Sequence, residues 1–362
     1  MAVNSRLSGT ALLHSRMPAE WASHDATWLS WPHNEETWPG VFAAVEPAFC
    51  EIVAALAATE TVHINVLDTD HRRHVARLLS TCAPSDAIRM HIVPTNDAWI
   101  RDHGAIFTVV GRDDPQRLGL GFEYNAWGGK YPPFDLDAAV AEQMVRLVDV
   151  PFLAVDAVLE GGSVDVDGAG LLLTTEQCLL NPNRNPHLDR FGIEQLLARH
   201  FGVEAVLWLG QGIEGDDTDG HVDDMARFFA PRSVVTVVES DKADPNFRPL
   251  DENLRRLRNF KLPDDARLTI VQLPMPEPQF NDGHRLPASY ANFYVANELV
   301  LVPTFNCPAD DVACGILGDC FPGRGVVPVD CRALVAGLGA LHCLTQQVPA
   351  VPPALSSSIT GD

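Results

Sequence analysis

In the stretch PAFCEIVAALAATETVHINV, residues 47–66, the apolar side chains change period part-way along. Phe49, Ile52, Val53 and Leu56 recur at the three-to-four spacing of one helix face, and Val62, Ile64 and Val66 then alternate as on a half-buried strand. A helix that hands over to a strand is the repeating step of an α/β fold. The step recurs outward from there. Helical spacing returns at Val75, Leu78, Leu79 and Cys82, strands follow near 88–93 and 104–110, and a helix is expected over 137–148. Strands near Phe152 and Leu171, a helix over 188–200 and a strand over 205–209 continue it. The pattern predicts one α/β region, with a poorly ordered extension over 1–16 and a Pro- and Ser-rich tail over 350–362.

Composition narrows the class. The 362 residues carry 26 Lys and Arg against 48 Asp and Glu, a formal charge of −22, with 46% hydrophobic residues. That length and apolar fraction suit one large repetitive domain or two ordinary ones, and exclude disorder as the main state. So acidic a chain lacks the basic stripe that nucleic acid or anionic lipid requires; a small cationic partner suits it better, although acidity most often serves only solubility. No run reaches the roughly 20 apolar residues of a membrane helix, and residues 1–16 lack the apolar stretch of a secretory signal, so the cytoplasm is the expected location. The eight cysteines form no C-x-x-C pair, which predicts reduced thiols and neither a disulfide framework nor a structural zinc site. A homo-oligomer is compatible with the sequence, which does not specify one.

Polar loops interrupt the apolar segments at a nearly constant interval. Asp102 and Glu160 lie 58 residues apart, Glu160 and His221 61, and His221 and Cys343 122, twice that step. A further loop is therefore expected near residue 282, where Asn281, Asp282 and Gly283 stand. A period near sixty residues is how propeller-like arrays announce themselves, and about five units would fill the chain.

Each loop has a bland and a chemical reading. In NDAWIRDHG, residues 96–104, the bland one is a solvated Arg101–Asp102 pair; the chemical one is cation recognition, by carboxylates that accept paired guanidinium hydrogen bonds and a Trp face. In LEGGS, residues 159–163, the glycines make a tight turn or let the backbone approach a ligand while Glu160 orients another side chain. In GQGIEGDDTDGHVDD, residues 210–224, a strand would put His221 and Asp223 on one face, and carboxylates around a His hold up its proton affinity, as acid–base work requires. The same acidic run could instead be a surface loop or hold manganese or magnesium. Cys343, in GALHCLTQQ, is by composition an ordinary small core residue; its place in the period raises it to a candidate nucleophile. His342 would point away from it in an extended segment and is not taken as its base.

Taken together, the segments 17–39 (MPAEWASHDATWLSWPHNEETWP), NDAWIRD, 122–135 (FEYNAWGGKYPPFD), LEGGS, 179–186 (LLNPNRNP), DGHVD, PASYANFY, FPGR and HCLTQQ resemble the agmatine deiminases. These form part of the Porphyromonas-type peptidylarginine deiminase group of the guanidine-modifying, or pentein, superfamily. The resemblance covers residues 17–349 and implies a single catalytic domain with the pentein fold, a five-bladed α/β propeller. By matching positions it implies that Cys343 attacks the guanidinium carbon and that His221 is the general acid and base. Asp102 and Asp223 would hold the guanidinium, and Glu160 would support the His. Asp97, Trp99, Trp127 and Glu214 become candidate pocket walls or amine partners, and Asn292 of PASYANFY is placed among the substrate-binding residues.

No metal or organic cofactor is implied, and the partner is a small cationic guanidino substrate, foremost agmatine, giving N-carbamoylputrescine and ammonia. Arginine, a peptidyl arginine or another guanidino compound is the first alternative; a metal-dependent ureohydrolase using Asp216–Asp224 and a silent guanidine-binding protein are the others. Asp219 stands where the family commonly has Asn, and GLGALHC is less Gly-rich than usual, two departures near the site.

Overall fold

A computed structural model describes residues 15–262 and 264–351; the expectations for 1–14 and 352–362 lie outside the described residues. The opening stretch forms the helix Phe42–Ala57 and the strand Thr61–Val66. The helix starts before its apolar pattern and so contains Pro47, whose ring is exposed near the helix start, where a missing N–H forfeits a single early bond. Val45, Phe49, Ile52, Val53 and Leu56 are fully buried against Trp31, Trp38, Val62 and Ile64, each side chain contributing about 1.5–3 kcal/mol of burial.

Five sheets then repeat one plan: an antiparallel pair, followed by a parallel strand reached through a helical crossover. In the first, Gln346–Pro349 pairs with His24–Ser30, the helix Phe42–Ala57 crosses over, and Thr61–Val66 runs parallel. The second joins Ile106–Val110, Gln116–Glu123 and, after helix Val140–Leu147, Phe152–Val158. The third joins Asp165–Val166, Leu171–Thr175 and, after Arg190–Phe201, Ala205–Leu209. The fourth joins Ala226–Ala230, Ser233–Val238 and, after Phe247–Asn259, Thr269–Pro274. The fifth joins Tyr294–Val295, Leu299–Thr304 and, after Ala309–Cys320, Gly325–Asp330. The first sheet gains an outer parallel strand, Ile88–Ile92, through helix Thr69–Leu79. In that sheet a strand from the start of the described residues pairs with one from their end.

The expected α/β class and the count of about five units both hold. The period holds less evenly. Residues 275–292, the loop after the fourth sheet, carry an extra hairpin, Phe280–Asn281 with His284–Arg285. Asp282 and Gly283 turn it at positive φ, so residue 282 is a hairpin tip, and the residue that reaches the centre of the site comes ten positions later, Asn292.

Candidate active site

In four units the third strand, and in the first the outer strand Ile88–Ile92, leads into the loop that begins the next unit; four of these five loops line one cavity of about 910 Å³, and the loop with Glu160 packs behind it. Asp102 lies in the helical turn Ile100–His103, Glu160 just before the turn Gly161–Ser163, and His221 just before the turn Val222–Asp224. The expected strand at 221–223 is thus a tight 3-10 turn, entered through Asp219 and Gly220 at positive φ. Both side chains still face the site. An atom in the Cβ position of Gly162 would stand 2.6 Å from His221 Nδ1, 2.9 Å from Asp102 Oδ1 and 3.0 Å from Asp223 Oδ2, so the glycine is what lets the three converge.

The Arg101–Asp102 surface pair does not form. Both residues are buried and diverge. Asp102 accepts hydrogen bonds from Trp127 Nε1 (2.9 Å) and from the Gly162 backbone N–H (3.0 Å). Arg101 runs the other way, to Gln347 Oε1 (2.8 Å) and Glu20 Oε2 (3.3 Å). Burial, joined by Asp223 and Glu160, pushes the Asp102 carboxyl up although the His221 charge opposes it. For His221 the balance is reversed. Burial works against its charge, but Asp102 at 3.7 Å, Cys178 and Glu160 at 3.9 Å outweigh it and hold the imidazole well above its ordinary range.

Glu160 is fully buried and kept ionised against that burial by His221 and Arg184, whose Nε donates to Glu160 Oε1 at 2.7 Å. Arg184 in turn donates to Asp219 Oδ2 (2.6 Å), and Lys130 Nζ lies 2.9 Å from Asp219 Oδ1. The Asp in place of the family's usual Asn therefore balances two cations behind Glu160 and does not line the cavity. In the other departure, Leu338 is held at φ +71° in the cavity wall, a conformation that favours glycine.

Cys343 is buried with its Sγ 3.7 Å from Asp223 Oδ2 and 3.2 Å from Asn292 Nδ2. Burial, then the charges of Asp223, Asp224 and Asp102, push its thiol well above the usual range. The sequence reading missed what holds Asp223. His342 contacts Asp223 Oδ2 through Nδ1 (2.7 Å) and Glu20 Oε2 through Nε2 (2.9 Å), so the ring bridges the two carboxylates. Glu20 also meets Arg227 Nη2 at 2.9 Å, and Arg227 Nε donates to Asp165 Oδ1 at 2.9 Å. Burial would raise the Asp223 carboxyl, but His342, His221 and Arg227 hold it below its usual range.

Of the further candidates, Asp97, Trp99 and Trp127 line the cavity, with Trp99 seated where Gly339 has no room for a Cβ. Glu214 is exposed and outside the lining; its N–H is spent on Asn246. Asn292 also falls outside the lining, behind the thiol, and Glu160, His221 and Asp223 lie outside it too. The acidic run 216–224 does not assemble as a metal site, because its carboxylates have separate occupations. Asp216 accepts from Thr218 and Gly220, Asp217 from Tyr131, Asp219 from Arg184, and Asp224 from Asn292. Among the described residues, Glu160, Cys178 and His221 bring three ligating atoms within 4.8 Å of one another, but the Arg184 guanidinium on Glu160 opposes a cation there.

Residues 16–349 match the Porphyromonas-type peptidyl-arginine deiminase family. The chain belongs to that family. It is 36% identical over 357 residues to an agmatine deiminase of Ectopseudomonas mendocina, covering 92% of this chain and 95% of that one. Among solved structures, the agmatine deiminase of Enterococcus faecalis superposes with a TM-score of 0.87 at 32% identity, over 96% and 99% of the two chains. The C. jejuni agmatine deiminase with substrate bound gives 0.85 at 29%, over 93% and 97%. A Microseira wollei amidinotransferase, at 11% identity and a TM-score of 0.53, shares the fold. The fold of this family member is thus the α/β pentein fold. Besides Asp102, its cavity is lined by the carboxylates of Glu36, Asp97, Asp137, Asp217 and Asp282, and none of the described lining residues is Lys or Arg.

Proposed function

We propose that the protein is a metal-free, cysteine-dependent agmatine deiminase acting in the cytoplasm. The observation that carries this reading is a cavity reached by Cys343 and Asp102, with His221 and Asp223 packed directly behind them, whose lining holds Asp and Glu but no Lys or Arg. A guanidinium between Asp102 and Asp223 satisfies both, and the acidic wall suits a second cationic group. Arginine would bring a carboxylate into a wall with no cation to meet it. The relatives named agmatine deiminase support the same substrate.

The chemistry follows from the charges. In the free protein the thiol keeps its proton, because it is buried with carboxylates facing it. A bound guanidinium cancels their field, so the thiol releases its proton to solvent as substrate binds, the thiolate forms only where its target lies, and the sulfur is reprotonated when product leaves. Cys343 Sγ attacks the guanidinium carbon, giving a tetrahedral adduct whose nitrogens stay paired with Asp102 and Asp223. His221, charged in the resting state, gives its proton to the departing nitrogen and ammonia leaves. The neutral imidazole then takes a proton from water, which attacks the amidino carbon and expels the sulfur as N-carbamoylputrescine is released. Glu160, fixed by Arg184, steadies the imidazolium in both halves.

Purified protein incubated on agmatine and on arginine, with and without chelator, tests the reading. Chelator-resistant ammonia and N-carbamoylputrescine from agmatine alone are expected. Urea lost in chelator would point to metal chemistry, and turnover of arginine at equal efficiency would remove the argument from the acidic wall.

A further inference from the structure

Asn292 occupies an unusual position: every polar atom of its side chain is committed around Cys343. Its Oδ1 accepts from the backbone N–H of His342 (3.0 Å) and of Cys343 (3.4 Å), and lies farther from Cys343 Sγ (3.6 Å) than the amide nitrogen does. Two N–H donors on one end of a carboxamide settle which end is oxygen, so the NH2 group faces the other way. Of its two hydrogens, one goes to Asp224 Oδ1 at 3.0 Å and the other to Cys343 Sγ at 3.2 Å. The loop that carries Asn292 is tied to the same aspartate, since Ser289 Oγ donates to the Asp224 carbonyl at 2.7 Å and accepts from the Ala291 N–H at 3.1 Å. Asn292 and Asp224 are both buried, so water does not compete for these bonds.

We propose that Asn292 is a catalytic residue whose amide donates to the Cys343 sulfur and favours the thiolate, and that Asp224 is the positioning residue that aims it. The proposal deepens the reading of Cys343 as nucleophile and rests on it. Of the charged groups around the sulfur, Asp223 stands 3.7 Å from it on one side, with Asp102 and Asp224 beyond; His221 and His342 are spent on carboxylates. Neutral donation from Asn292 thus opposes the burial of the sulfur and the charge of Asp223 beside it. Burial and the neighbouring Asp223 push the Asp224 carboxyl well up, so it serves the amide as a neutral acceptor. A neutral acceptor aims the amide without adding a full charge beside the sulfur.

The test is the pH profile of Cys343 inactivation by 2-chloroacetamidine, with peptide mapping to confirm the labelled thiol, alongside kcat and KM on agmatine. For Asn292→Ala, inactivation at neutral pH should slow by about 10- to 100-fold and its midpoint should move to higher pH, the loss of a hydrogen bond to a charged group. kcat should fall by a similar factor with KM within about twofold. Asp224→Asn, which keeps an acceptor for the amide, should retain the wild-type profile, whereas Asp224→Ala should shift it in the Asn292→Ala direction. If Asn292→Ala does not fold, the isosteric Asn292→Asp carries the test, with a larger upward shift expected. A wild-type inactivation profile in the folded Asn292 variant would overturn the proposal. Because alkylation needs no turnover, that failure is distinct from wild-type protein failing to deiminate agmatine.

Discussion

At the floor of the cavity each carboxylate is held by partners from other units, whereas along the wall the carboxylates answer to a neighbouring loop or to solvent. Asp223 is fixed through His342, Glu20 and Arg227, which come from both ends of the chain and from the fourth sheet. On the wall, Asp97 accepts from Thr37 Oγ1 at 2.5 Å and from the next backbone N–H, Asp217 leans on Tyr131, and Asp282 turns an exposed hairpin. The difference teaches where precision is required. The reacting carbon must meet the sulfur within a few tenths of an ångström, and only a network fastened to several units holds that. Recognition of a second positive charge asks only for a negative field of the right extent.

The largest expected effect breaks the floor. Asp102→Asn and Asp223→Asn should each lower kcat/KM by about 10³-fold or more, since either leaves one guanidinium edge unpaired. Steady-state kinetics on folded variants that retained wild-type turnover would take these carboxylates out of the reaction. A second prediction separates floor from surface by charge. Cationic 2-chloroacetamidine should label Cys343 about 100-fold faster than neutral iodoacetamide does, while exposed Cys82 should show no such preference. Sequence alone favours labelling of Cys343 by either reagent; the buried, carboxylate-ringed thiol removes the neutral one. Equal rates for the two at Cys343 would mean that the carboxylates do not control the thiol.

The smallest effect belongs to the wall. Burial pushes Asp97 up to about 6, so as pH falls through that value the group turns neutral and loses its attraction for an ammonium. KM for agmatine should therefore rise below about pH 6, and Asp97→Asn should carry the raised KM, about 10-fold, at all pH values without that step. A pH-dependent KM that survives in Asp97→Asn would move amine recognition elsewhere, with Asp137, pushed by burial to about 7, the next candidate.

The same division governs what could be read in advance. Helix and strand spacing and the loops around Asp102, Glu160, His221 and Cys343 are local patterns, each visible within a dozen residues, and the sixty-residue step follows from counting between those loops. The support of the site is not local. His342 reaches Glu20 across 322 residues and Asp223 across 119, and although the second is close to two steps of the period, no local pattern says that these side chains pair. An inserted hairpin lengthens the fourth loop, so Asn292 and not residue 282 reaches the thiol, and the motif of Asn292 carries no sign of which way the side chain faces. Glu214 stands outside the lining for a similar reason: in an acidic run, composition does not tell which carboxylate turns inward.

Acid-quenching a rapid mix of the protein with agmatine, followed by peptide mass mapping, tests the central claim most directly. The account predicts a transient amidino adduct, agmatine less ammonia, on the peptide containing Cys343, formed as ammonia is released. Product formation with no adduct on that peptide, or with an adduct on another cysteine, would contradict it.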